Sequence, residues 1–203
     1  MSIIIAGIHT NIGKTICSAV ICQALGYDYW KPVQAGDLEN SDSVFIKRVV
    51  GNPLCKIHDE AYQLSIPASP HYAAEVDGVT ITKADINLPR SDNHIVVETA
   101  GGIMSPLAYN YLNIDLIEQL NLPVILVSNN YLGSINHTLL SIAALKQRNI
   151  HLKGIVFSGE SNPPTENFIK QYTGMPVIFS IPKLAEVNAT SIDNFVKQAS
   201  IKV

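Results

Sequence analysis

Short apolar runs alternate with segments of helical periodicity along most of the chain. Runs that are hydrophobic on successive residues occur at 2–6, 94–97, 124–127, 154–157 and 177–181, with a weaker one at 27–31. Such runs predict strands that are buried on both faces. Apolar residues spaced three and four apart predict helices at 14–25, 41–50, 112–120, 135–148 and 191–198. The alternation predicts an α/β fold with a mostly parallel sheet and helices on both faces.

Residues 52–93 have the weakest periodicity of the chain. We interpret them as an irregular connection with a short helix near residues 82–88, and the whole of residues 1–203 as one domain. In sheets of this class, ligands bind beyond the carboxyl ends of the strands. Functional residues are therefore expected directly after each strand.

The composition narrows the class of protein. Hydrophobic residues make up 47% and charged residues 15%, so the chain can form a core, and intrinsic disorder is excluded. A net charge of −3 argues against nucleic acid as a partner. No apolar run reaches the roughly 18 residues of a membrane span, and no signal peptide is evident, so a cytoplasmic protein is expected. The three cysteines and six histidines lack zinc-site spacing.

A glycine-bearing loop follows the first predicted strand. Gly7 to Thr15 reads G-I-H-T-N-I-G-K-T and leads into a helix, which is the order of a phosphate-binding P-loop. Backbone amides of such a loop surround phosphate oxygens, Lys14 would reach the outer phosphates, and Thr15 would ligate Mg²⁺. Five residues separate Gly7 from Gly13, one more than in the strict motif. An ordinary helix start is the plainer alternative for Gly-Lys-Thr.

Three further residues follow predicted strands or open a helix. Lys31, before Pro32, ends the second strand and either points into the same pocket or is a solvated lysine at a turn. Asp42 lies in the first turn of a helix, where the helix dipole alone would favour it, but it also suits a metal. Glu98 follows a buried strand and needs a partner there. With Thr15, these carboxylates supply hard oxygen ligands for Mg²⁺.

The ordered set of motifs resembles the dethiobiotin synthetase family, ATP-dependent P-loop enzymes of biotin biosynthesis. The segments that carry the resemblance are 7–15, 31–36, 40–42, 69–71, 98–102, 132–137 and 181–185. The family also shows the longer glycine spacing. The resemblance implies a homodimer that closes a ureido ring on 7,8-diaminopelargonate with CO₂, ATP and Mg²⁺, through a carbamate and a carbamic-phosphoric mixed anhydride.

The resemblance also implies residue roles. Lys31 and Lys14 correspond to catalytic lysines, and Thr15, Asp42 and Glu98 to metal ligands. Expected nucleotide contacts are Asn11, Ile12, Gly13, Lys14, Thr15, Ile16, Asp42, Glu98, Thr99, Ala100, Gly101, Ser158, Pro182, Lys183 and Leu184. Expected substrate contacts are Thr10, Lys31, Ala35, Gly133, Ser134, Ile135 and Asn136, the last four holding a carboxylate across the dimer interface.

Three positions depart from what relatives carry. Asn11 stands where some relatives have glutamate, Ala35 where some have a hydroxyl residue, and Ser158 where many have an asparagine. A serine hydroxyl cannot replace the paired donor and acceptor of an amide.

Two other classes share this pattern. A nucleotide-switched partitioning ATPase would carry a lysine directly after the first loop glycine, where this chain has Ile8. A cobyrinate-type amidoligase would add a glutamine amidotransferase domain, for which 203 residues leave no room.

Overall fold

A computed structural model describes residues 1–203 and contains eleven strands and seven helices. The strands are β1 (Ile3–Gly7), β2 (Asp28–Trp30), β3 (Val33–Ala35), β4 (Ile57–His58), β5 (Tyr62–Leu64), β6 (Ile95–Gly102), β7 (Pro106–Ala108), β8 (Tyr111–Leu112), β9 (Val124–Ser128), β10 (Leu152–Gly159) and β11 (Val177–Pro182). The helices are α1 (Lys14–Leu25), α2 (Asp42–Val49), α3 (Pro70–Val76), α4 (Asn113–Leu120), α5 (Ser134–Gln147), α6 (Pro163–Thr173) and α7 (Ala189–Gln198).

Seven strands form one parallel sheet in the order β11-β10-β9-β1-β6-β2-β4. Two small ribbons, β3 with β5 and β7 with β8, lie outside it. Right-handed crossovers then put α1 and α2 on one face and α4, α5 and α6 on the other. Consistently, α1, α2 and α7 contact one another, and α5 contacts α6. The strand order reverses direction around β1, and this is where such sheets bind ligands.

The core runs through the sheet and covers both of its faces. Every residue of β1 and β9 is buried, as the apolar runs predicted. A single cluster of 43 buried hydrophobic residues joins the sheet to the helices on each side. No helix has both the length and the apolar composition needed to cross a bilayer.

The predicted α/β architecture is confirmed, and its boundaries shift in one place that matters. β6 continues through Glu98 to Gly102 rather than ending before Glu98. Pairing with β1 extends β6 to Gly102, because Gly102 lies opposite Gly7 after a register shift. Glu98 is therefore fixed within the sheet and not in the loop after it.

Two helices were absent from the sequence prediction, and one was misjudged. α6 buries only Ile169, so it lacks a broad apolar stripe. α3 is a seven-residue helix that begins at Pro70 within the supposedly irregular 52–93 segment. The helix expected near residues 82–88 is only a 3₁₀ turn, Lys83–Asp85. Short elements such as α3 depend on tertiary contacts rather than on periodicity.

Candidate active site

The loop between β1 and α1 folds back over its own lysine. Asn11 and Gly13 adopt left-handed backbone conformations, with φ of 56° and 93°. The Lys14 ammonium donates a hydrogen bond to the His9 carbonyl oxygen at 3.1 Å. A Cβ on Gly7 would lie 2.9 Å from Lys14 Cδ, so a side chain at position 7 would force the Lys14 side chain to shift. The sequence from Gly7 to Thr15 thus folds as a loop whose residues 10–15 line a small pocket.

Three oxygen-bearing side chains meet at the start of α1. The Thr15 hydroxyl lies 2.8 Å from Asp42 Oδ1 and 2.8 Å from Glu98 Oε1. A hydroxyl has one proton, so it cannot donate to both carboxylates at once. Two carboxylates and a hydroxyl are hard oxygen ligands of the kind that Mg²⁺ prefers with nucleotide phosphates. The donor set therefore fits the predicted metal.

Two buried hydroxyls hold the second oxygen of Glu98. Ser18 Oγ and Tyr29 OH donate to Glu98 Oε2 at 2.8 and 3.1 Å. Both donors are fully buried. Burial, and to a lesser extent the nearby Glu98 charge, raises the pKa of Tyr29 well above its usual value. The sequence prediction missed both residues because each occupies a position that periodicity assigns to the core.

Both predicted lysines lie in this pocket and are nearly inaccessible to solvent. Lys14 and Lys31 are each 7% exposed. The Lys31 ammonium contacts Asp42 Oδ2 in an ion pair. Burial lowers the pKa of Lys14 to about 8, although the Glu98 charge opposes that shift. Burial likewise lowers the pKa of Lys31, opposed by Glu98 and Glu60.

Two cavities meet at Lys31. A pocket of about 110 Å³ is enclosed by the P-loop and the acidic residues, and its lining includes Lys14, Thr15, Asp42 and Glu98. A larger cleft of about 560 Å³ lies beside it, with Ala35, Pro70 and Ser105 among its walls. Thr10, Asn11, Lys31, Asp42 and Gly101 line both. The arrangement places a phosphate-sized space next to a space large enough for a small organic substrate.

Several predicted residues lie at the site but turn their side chains away from it. Ile12 belongs to the hydrophobic core, and Ile16 packs against it. The Thr99 hydroxyl is buried and donates to the Ile5 carbonyl oxygen at 3.4 Å. The Ala100 carbonyl oxygen accepts a hydrogen bond from the Asn113 side-chain amide, which holds the backbone in place next to Gly101.

The residues after β10 and β11 lie at the same edge of the sheet. Ser158 packs directly against the P-loop, since a Cβ on Gly13 would lie 2.2 Å from its hydroxyl oxygen. Gly159 pairs with Pro182, which brings the start of the segment 182–184 beside it. Pro182, Lys183 and Leu184 are not among the residues lining the two cavities at Lys31.

The structure does not bring the predicted carboxylate-binding segment into these cavities. Gly133, with φ of 98°, precedes α5, which begins at Ser134, and none of the residues from Gly133 to Asn136 lines either space. The neighbouring Leu132 side chain is fully exposed. Within one chain, this helix start remains separate from the pocket.

Comparisons with known proteins show which family the chain resembles in sequence. A family model described as an AAA domain matches residues 1–191. ATP-dependent dethiobiotin synthetase BioD of Christiangramia forsetii is 50% identical over 177 residues, covering 87% of this chain and 85% of the relative. Its counterpart in Rhodopseudomonas palustris (strain BisA53) is 44% identical over 190 residues, covering 94% of this chain and 89% of the relative.

Solved structures share the fold at low sequence identity. A putative plasmid partition protein of Borrelia burgdorferi B31, bound to AMPPNP, superposes with a TM-score of 0.60 at 11% identity, covering 97% of this chain and 93% of that one. The MinD cell division protein of Aquifex aeolicus gives 0.54 at 12% identity, with 100% and 99% coverage. These structures support the fold alone. Relatives named ATP-dependent dethiobiotin synthetase are 41–50% identical to this chain over most of its length. The chain therefore belongs to the ATP-dependent dethiobiotin synthetase family.

Proposed function

We propose that the protein closes the ureido ring of dethiobiotin from 7,8-diaminopelargonate and CO₂, with cleavage of ATP to ADP and phosphate. The observation that carries this proposal is the position of Lys31, which lines both the phosphate pocket and the larger cleft. A cation at that junction can contact the transferred phosphoryl group and the acceptor together. Phosphoryl transfer depends mainly on such positioning and charge neutralisation.

The P-loop side of the junction would hold the triphosphate. Backbone amides of residues 11–16 and the start of α1 favour phosphate oxygens, and the Lys14 ammonium lies over the loop. Thr15, Asp42 and Glu98 would hold Mg²⁺, which neutralises phosphate charge when it is bound. Asp42 would then exchange its contact with Lys31 for the metal, which frees the ammonium for the substrates.

The reaction would proceed in three steps. One substrate amine, in its neutral form, attacks CO₂ and loses a proton to give a carbamate. A carbamate oxygen attacks the γ-phosphorus and ADP departs, leaving a carbamic-phosphoric mixed anhydride. The second amine attacks the anhydride carbon, loses a proton and expels phosphate, which closes the ring. Lys31 and Lys14 would neutralise the oxygens that gain charge, and each such contact in a dry site contributes about 3–4 kcal/mol to lowering the barrier.

The cleft would hold the two amines, and a second subunit would hold the far end of the substrate. Thr10 and Ala35 line the cleft beside Lys31. The start of α5 favours an anion but lies apart from the cleft of its own chain, and Leu132 next to it is wholly exposed. We therefore propose a homodimer in which residues Gly133 to Asn136 of one subunit bind the carboxylate held by the other. We place this enzyme in the cytoplasm.

The activity is tested by supplying diaminopelargonate, bicarbonate, Mg²⁺ and ATP to the purified protein. Mass spectrometry of the ring product is combined with measurement of ADP and phosphate, and the three should form in equal amounts. Lys31→Ala should keep nucleotide binding and lose most turnover. Lys47→Ala, at an exposed lysine of α2, is the matched control and should behave as wild type. Phosphate release without ring product would contradict the proposal.

The dimer is tested separately by sedimentation. A single dimeric species at the concentrations used for the assay is the expected result. Active enzyme that sediments only as a monomer would contradict the cross-subunit carboxylate site while leaving the ring-closing activity in place.

A further inference from the structure

The carboxyl ends of β9 and β10 bring two polar side chains together beside the P-loop. Phe157 pairs with Ser128, so the next residues, Ser158 and Asn129, occupy equivalent positions at the tips of neighbouring strands. Ser158 is 5% exposed, and its hydroxyl packs against Gly13 of the P-loop. Asn129 is half-buried and ends nearer to solvent.

Gly159 leaves room for the Asn129 amide. A Cβ at Gly159 would lie 2.8 Å from Asn129 Nδ2 and 3.3 Å from Oδ1, and Gly159 has a φ of +103°. The amide therefore rests on the bare backbone of β10, next to Ser158. The following residue is different, because Asn130 donates to the Glu160 carbonyl oxygen at 2.9 Å and to Glu166 at 2.7 Å. Asn130 has a structural role, whereas no such bond engages the Asn129 amide.

We propose that Asn129 binds the nucleobase, with its amide pairing with the N6 amino group and N7 of adenine. A side-chain amide presents a donor and an acceptor side by side, and Asn forms this bidentate pair with adenine in other recognition settings. The single hydroxyl of Ser158 cannot form it. The assignment rests on the proposed use of ATP at this site, and it makes the base contact come from β9 rather than from β10.

The test is direct binding of nucleotide analogues to the full-length protein, without catalysis. Wild type should bind ADP about 5- to 10-fold more tightly than purine riboside diphosphate, which lacks the N6 group, or 7-deaza-ADP, which lacks N7. Asn129→Ala should bind all three alike, while still binding inorganic tripolyphosphate as wild type does. Asn110→Ala, at an exposed asparagine between β7 and β8, should keep the wild-type preferences.

A second variant should remove or reverse the preference for ADP over 7-deaza-ADP. Asn129→Asp keeps the size of the side chain but places a carboxylate oxygen against the N7 lone pair, so 7-deaza-ADP should bind at least as tightly as ADP. A preference that survives in both Asn129 variants, or one that Ser158→Ala abolishes instead, overturns the assignment. So does a wild type that binds the three analogues equally.

The outcome is independent of the ring-closing assay. Protein that forms dethiobiotin but keeps its base preference in the Asn129 variants contradicts only the base contact. Protein that loses its preference in those variants yet makes no dethiobiotin contradicts only the proposed reaction.

Discussion

Two buried carboxylates of the seven-stranded sheet differ in the groups that hold them. Asp28, fully buried at the amino end of β2, accepts hydrogen bonds from the Lys56 amide at 3.0 Å and Ser91 Oγ at 2.6 Å. It also lies 2.9 Å from His58 Nε2 and 3.1 Å from Asn93 Nδ2. These partners come from residues 56–58, which include β4, and from the connection before β6, and Asp28 ties both to β2.

Glu98, the fourth residue of the eight-residue strand β6, is 1% exposed but is held only by hydroxyls. A hydroxyl can rotate its proton away and offer a lone pair instead, which an amide N–H cannot do. Glu98 also faces a pocket with two lysines, whereas Asp28 faces none. A buried carboxylate held mainly by N–H groups stabilises the fold, and one held only by rotatable hydroxyls beside a cavity is suited to hold a ligand.

The largest expected effect is on catalysis at Glu98. Glu98→Gln keeps the shape of the side chain and removes its charge, so kcat should fall by roughly 10²- to 10³-fold. The melting temperature should change little, because Ser18 and Tyr29 can still hydrogen-bond to the amide. Ring-product formation under saturating Mg²⁺ and ATP measures the loss. Turnover close to wild type would show that the two carboxylates have the same structural role.

The opposite result is expected at Asp28. Asp28→Asn turns an NH₂ group toward several donors in a buried network, which should lower the free energy of unfolding by about 3 kcal/mol. Urea denaturation measures this loss. The kcat of the remaining folded protein should match wild type, since Asp28 lines neither site cavity. A loss of kcat without a loss of stability would reverse the assignment.

Asp28 should also affect how the free energy of unfolding depends on pH in the acid range. Burial raises the pKa of Asp28, but hydrogen bonds from Ser91, the Lys56 amide and His58, with Asn93, outweigh burial and hold the pKa below its usual value. Its stabilisation is therefore present above the unfolded pKa of about 3.9 and is lost as pH falls through the folded pKa. Unfolding free energies measured from pH 6 downward should fall more steeply for wild type than for Asp28→Asn. Parallel curves would contradict this.

The smallest expected effect is at Tyr29. Tyr29→Phe removes one of the two donors to Glu98 Oε2 and leaves Ser18 in place. The loss should be about 1 kcal/mol, seen as a roughly 5-fold rise in KM for Mg·ATP with a smaller change in kcat. Tyr72→Phe, at an exposed tyrosine of α3, is the control. Equal effects from both substitutions would remove Tyr29 from the support of the site.

The sequence predicted the parts of this molecule that depend on local pattern. Apolar runs predicted the buried strands, and the loop after the first strand predicted the P-loop. The candidate residues Lys31 and Glu98 were found at the ends of predicted strands, and Asp42 at the start of a predicted helix. Ser18 and Tyr29 could not be predicted, because they reach Glu98 only once β6 lies between β1 and β2. Strand order is a long-range property that periodicity does not contain. The helix α6 was missed for a local reason, because it buries only Ile169 and so lacks the apolar periodicity that predicts a helix.

The hydrogen bond from Thr15 to Glu98 joins residues that are 83 positions apart. It forms only when β1 and β6 are paired, with Ile5 opposite Glu98. A chain in which β1 and β6 are not paired lacks this contact. Nucleotide with metal would then bind the finished sheet in preference to any earlier state and shift the folding equilibrium by mass action. In a cell, the supply of ATP would thus protect the enzyme from unfolding and from proteases as well as feed its reaction.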